Sequence, residues 1–97
     1  MMDIAAKSFM MAVNICDTYN KLNGIECRVA TKPKIELNIS LDIDDLLYAQ
    51  GFCERTQKGF ASAIHETPRL MKGIYMNFFY GGKFLMTCPF NPPMNSR

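Results

Sequence analysis

Ninety-seven residues hold one domain of ordinary size and leave no room for two. Apolar residues make up 48% and charged residues 21%, a balance that excludes a disordered or collagen-like chain. The formal net charge of +2 is too small to point at a polyanionic partner, and no apolar run reaches the length of a membrane span.

In chain order, residues 3–22 read as a helix with Asp3 as its N-cap. Phe9, Ala12, Val13, Cys16 and Tyr19 recur at three- and four-residue steps and define its inner face. Asp3 and Lys7 interrupt the apolar N-terminal stretch and no small-residue cleavage site follows it, so it is not read as a leader. Asn23-Gly24 supplies a helix stop. Two alternating runs follow, Ile25–Thr31 and Lys34–Leu41, separated by a break at Pro33. They predict an antiparallel hairpin with Ile25, Cys27, Val29, Ile35, Leu37, Ile39 and Leu41 turned inward.

Asp42 at the cap, with Asp44 and Asp45 in the first turn, opens a second helix predicted over Ile43 to Gln57, with Ile43, Leu46, Leu47 and Cys53 on one face. Capping and compensation of the helix dipole account for the three acids. Residues 60–66 suit either a short strand or more helix. Thr67-Pro68 reads as an N-cap with proline at the first helical position, and Gly73 as a stop. Ile74–Tyr80 and Lys83–Cys88, joined by Gly81-Gly82, predict a second hairpin. Residues 1–90 then form an α+β domain, with two helices on one face of a small antiparallel sheet in the order α-β-β-α-(β)-β-β. Residues 91–97, with Pro92 and Pro93, are expected to run on as an extended or disordered tail.

The search for chemistry yields no catalytic, metal or cofactor residues. Cys16, Cys27, Cys53 and Cys88 include no C-x-x-C pair, and with a cytoplasmic location expected they are read as buried free thiols. His65 has no partner in sequence that would make a nucleophile of one of them. No glycine-rich phosphate loop is present. Lys72–Phe79 matches an RNA-binding strand pattern at its first two positions and its last one, and at none between, so it assigns no family.

What stands out is the second hairpin, which is apolar on both sides. Ile74, Met76, Phe78 and Tyr80 line one face of its first strand, and Tyr75, Asn77 and Phe79 line the other. Two helices cover one face of a sheet. The other face is expected to carry Tyr75, Phe79 and Leu85, with Met94 as a further candidate, and to meet another protein or a second copy of the chain. The expected function is a non-enzymatic regulator, adaptor or inhibitor of the size that phages encode. The alternative is a single-stranded nucleic-acid binder using Tyr75 and Phe79 with Arg69, Lys72 and Lys83.

Overall fold

The structure is a computed structural model and describes residues 4–90. Asp3 and the expected tail, Met94 included, lie outside the described residues. The elements are α1 (Ile4–Asn20), β1 (Glu26–Ala30), β2 (Ile35–Ser40), α2 (Leu46–Gly59), α3 (Ala61–Glu66), α4 (Pro68–Lys72), β3 (Ile74–Tyr80) and β4 (Lys83–Pro89). The α+β class and the two hairpins are as the sequence predicts. The undecided stretch before Thr67 is helical, and Pro68 opens α4.

The four strands stand in the order β1-β2-β3-β4. Each hairpin is antiparallel, but β2 and β3, which join them, run parallel. The sheet is therefore mixed, not wholly antiparallel. Between β2 and β3 the chain passes through α2, α3 and α4, and a connection of that length can return the chain in the same direction. Gly81 and Gly82 have φ of 53° and 86°, the two left-handed positions that a tight type I′ hairpin turn requires.

The helices gather on one face of this sheet. α1 packs on β1 and β2, α2 on β4, and α4 on α1 and β3. The core between the layers holds Ala12, Ile15 and Tyr19 from α1, and Leu37, Ile39, Ile74, Met76 and Phe78 from the strands. Phe78 lies at its centre, stacked on Phe52 at 6.5 Å and edge-on to Tyr19 at 6.2 Å.

α1 turns a slightly different stripe inward than Phe9 and Val13 imply. Ser8 and Ile15 are buried while Phe9 is exposed. Ser8 tolerates burial because its hydroxyl donates to the Leu70 carbonyl at 2.8 Å, tying α1 to α4. α2 shows the larger departure. It begins at Leu46 with Asp45 as N-cap, and its inner face is Ala49 and Cys53, so Ile43, Leu46 and Leu47 stay in solvent.

The expectation of free thiols is overturned. Cys16 is bonded to Cys27 and Cys53 to Cys88, leaving no free cysteine. Their Cα atoms lie 5.3 and 5.8 Å apart, within the range a disulfide spans. Periodicity had placed these residues correctly, on inward faces. Only the packing of α1 on β1 and of α2 on β4 makes them neighbours.

Each disulfide is reinforced one helical turn later. From α1, the Asn20 amide donates to the Cys27 carbonyl at 3.0 Å and accepts from the Cys27 N–H at 2.7 Å. From α2, the Gln57 amide donates to the Pro89 carbonyl at 2.9 Å. Residues i and i+4 lie on the same side of a helix, so Cys16 with Asn20 and Cys53 with Gln57 form two clamps of the same design. Together they fasten the two longest helices to the two outer strands of the sheet.

Candidate interaction face

The sheet's second face is built from the alternate residues of the same strands, and among the described residues no element covers it. Register arranges it in three rungs. The middle rung is polar: Arg28, Asn38, Asn77 and Thr87 lie across the four strands. The Thr87 hydroxyl donates to Asn77 Oδ1 at 2.8 Å, and the Asn77 side-chain amide donates to Asn38 Oδ1 at 3.1 Å. These bonds tie the side chains of the two inner strands to each other and to β4.

The rungs on either side are different. One runs Ala30, Glu36, Tyr75 and Pro89. Here Lys34 Nζ sits 4.1 Å from the centre of the Tyr75 ring, a cation–π contact that already occupies one face of that ring. The other runs Glu26, Ser40, Phe79 and Phe84, with the two rings edge-to-face at 5.7 Å. Phe79 is half-buried, and Phe84 is 55% exposed.

Phe84 was not expected on this face. Strict alternation from Cys88 and Met86 turns Phe84 inward and Leu85 outward. The register shifts between Phe78 and Phe79, so that Phe78 pairs with Met86 and Phe79 with Phe84. Leu85 is the extra residue of this bulge, half-buried and packed against the core. A bulge reverses the parity of the strand beyond it, which is why alternation assigns the wrong residue. Tyr75 and Phe79 stand where the sequence puts them, and Phe84 takes the place expected for Leu85.

The basic residues that would accompany a nucleic-acid surface are dispersed. Lys83 Nζ lies 3.2 Å from both carboxylate oxygens of Asp44. Arg69 is on α4 in the helical layer, beside a groove shared with Ile4 and Lys7 of α1, and Lys72 ends the same helix. Of the five residues of that alternative, only Tyr75 and Phe79 share the open face.

The acids before α2 have specific work. Asp45 accepts from the Leu47 N–H at 3.0 Å as the cap, Asp42 accepts from the Tyr48 hydroxyl at 2.8 Å, and Asp44 holds Lys83. The bond to Asp42 raises the Tyr48 pKa, because it is lost when the phenol ionises. Burial raises that of Tyr19, whose hydroxyl bonds to Thr56. His65 is exposed on α3, and the disulfides leave no thiolate for it to activate. Among the described residues no three His, Cys, Asp or Glu side chains gather as a metal site, and no helix is long and apolar enough to cross a membrane.

Sequence reasoning turned Ile43, Leu46, Leu47 and Tyr80 inward, and the structure leaves all four exposed, as it does Phe84. A sequence cue exists for Leu46 and Leu47: they directly follow the capping aspartate, in the first turn, where the helix has not yet reached the sheet. No family model matches this chain, and neither does any curated protein or solved structure.

Proposed function

We propose that this chain is a non-enzymatic protein-interaction module, a regulator, adaptor or inhibitor by class, that docks on another protein through the open face of its sheet. The observation that carries this reading is the pairing of Phe79 with Phe84 on a face that no described element covers. Aromatic side chains of this kind bind partners at little entropic cost and dominate the energetics of many interfaces. Tyr75 extends the face at its other end. The fastened helical layer holds the face rigid, which limits what must be ordered on binding.

The nucleic-acid reading keeps Tyr75 and Phe79 but has its cations dispersed, with Lys83 paired to an acid. As to location, two disulfides favour an oxidising compartment over the cytoplasm that the sequence suggests.

The test is capture of host proteins by the wild-type chain and by the Phe79→Ser/Phe84→Ser variant, with folding of both checked by circular dichroism. A folded variant that loses the wild type's partner supports the reading. A folded variant that retains it contradicts it. Binding to a labelled oligonucleotide that weakens as salt rises would favour the nucleic-acid alternative.

A further inference from the structure

We infer that the helical layer holds a ligand site between α1 and α2, and that the site takes a small monocarboxylate with a short apolar tail. It lies on the side of the sheet away from the open face, and so goes beyond the interaction proposed above. α1 packs on β1 and β2, and α2 on β4. The two helices therefore stand over different strands, with β3 between them. Aromatic rings bridge the gap. Tyr19 of α1 and Phe52 of α2 lie 5.7 Å apart, and both contact Phe78 of β3. Beside this bridge is a cavity of about 270 Å³, near the lower end of the range for small-molecule pockets.

The wall of the cavity is largely apolar: Ile15, Leu22 and Phe60 join Tyr19 and Phe52 in lining it. Its hydroxyls are bonded within the chain. Thr56 donates to the Phe52 carbonyl at 2.8 Å, the Tyr19 hydroxyl bonds to Thr56, and Thr18 donates to the Asn14 carbonyl at 3.1 Å. A chain of a few carbons suits such a wall, and recognition of a polar head falls to the one charged residue of the lining, Arg55.

Arg55 is a seated cation with no acid opposite it. Its Cζ lies 4.8 Å from the centre of the Phe52 ring, and a Cβ on Gly51 would come within 3.2 Å of its Nη1, so the guanidinium folds back over both residues. A cation–π contact engages the charge and consumes none of the N–H donors, whose forked geometry matches a carboxylate. The positions three and four residues away on α2 are Gly51, Phe52, Lys58 and Gly59, none of them acidic. Asp42 joins the same aromatic cluster only through its bond to the Tyr48 hydroxyl, and Arg55 forms no ion pair among the described residues. A carboxylate on the Arg55 fork, with its tail along Phe52 into the cavity, satisfies both the cation and the wall. A neutral head satisfies the wall alone.

Amide chemical-shift titration of the full, disulfide-bonded chain tests this with octanoate and octanol, which share a tail and differ in the head. Octanoate is expected to bind about tenfold more tightly than octanol, with shifts centred on Tyr19, Leu22, Phe52 and Thr56. Arg55→Gln should weaken octanoate to the level of the alcohol. Leu22→Ser should weaken both probes alike, because it removes wall and leaves the charge. Met10→Ser, an exposed position on α1 outside the cavity, should change neither. The amide dispersion of each variant reports that it is folded. Equal binding of the two probes, an octanoate affinity that survives Arg55→Gln, or shifts centred elsewhere would overturn the proposal. So would an absence of octanoate binding at millimolar concentration. Arg55 is on α2 in the helical layer, so capture of a host protein through Phe79 and Phe84 is expected to be unchanged in Arg55→Gln, and the failure of one reading does not carry to the other.

Discussion

The two faces of the sheet are made by the same four strands and have opposite fates. On one, Leu37, Ile39, Ile74, Met76, Phe78 and Cys88 are fully or almost fully removed from solvent. Two disulfides and the amides of Asn20 and Gln57 then lock the helical layer onto it. On the other, a hydrogen-bonded polar rung separates two rungs that bear aromatic rings, and no described element sits above them. Among the described residues the helices pack on one side of the sheet only. This chain concentrates its covalent and apolar stabilisation on one side. The difference separates the residues that hold the fold from those available to a partner.

The strongest way to break the contrast is to remove the clamps. In the chain-entropy picture the Cys53–Cys88 bond, spanning 35 residues, contributes about 4 kcal/mol, and the Cys16–Cys27 bond, spanning 11, about 3 kcal/mol. Thermal melts should therefore fall steeply with reductant, and Cys53→Ser/Cys88→Ser should cost more than Cys16→Ser/Cys27→Ser. A melt indifferent to reductant would remove the clamps from the account. Next in size is Asn20→Ala. It leaves the Cys27 N–H without its side-chain acceptor and is expected to lower stability by about 1–3 kcal/mol, read from denaturant midpoints. Asp45→Ala removes the α2 cap and should cost about 1 kcal/mol by the same measurement.

A smaller effect is expected at high pH. Tyr19 and Tyr48 both have pKa values above the ordinary 10.0, Tyr19 mainly through burial and Tyr48 mainly through its bond to Asp42. Folding favours the neutral phenol in each case. Their contribution to stability is therefore complete below pH 10.0 and is lost as pH rises through the folded-state values. An absorbance titration of phenolate should show late-titrating tyrosines, and Tyr19→Phe should remove one of them.

Much of the fold was legible because it is local. Alternation at residues 25–31 and 34–41, Gly81-Gly82 and the helical spacing of Ala12, Cys16 and Tyr19 are short-range patterns, and the structure contains the elements they predict. What escaped depends on distant packing. Two hairpins read separately do not reveal that β2 and β3 run parallel. The cysteine partners are fixed by which helix lies on which strand. Alternation alone turns Leu85 to the open face, because a one-residue bulge exchanges the two faces of a strand and leaves no clear mark in a run of apolar residues. The exposure of Leu46 and Leu47 depends on where α2 begins relative to the sheet, which their spacing from Cys53 does not set.

Phe78 and Phe79 give the most direct test, since they are chain neighbours of identical chemistry on opposite faces. Equilibrium denaturation of Phe78→Ala and Phe79→Ala should differ sharply. Phe78, 0% exposed, should cost about 3–5 kcal/mol, whereas the half-buried Phe79 should cost about 2 kcal/mol, from its partial burial and its edge-to-face contact with Phe84 together. Comparable losses at the two positions would mean that the second face is covered within the folded chain, and would contradict the account.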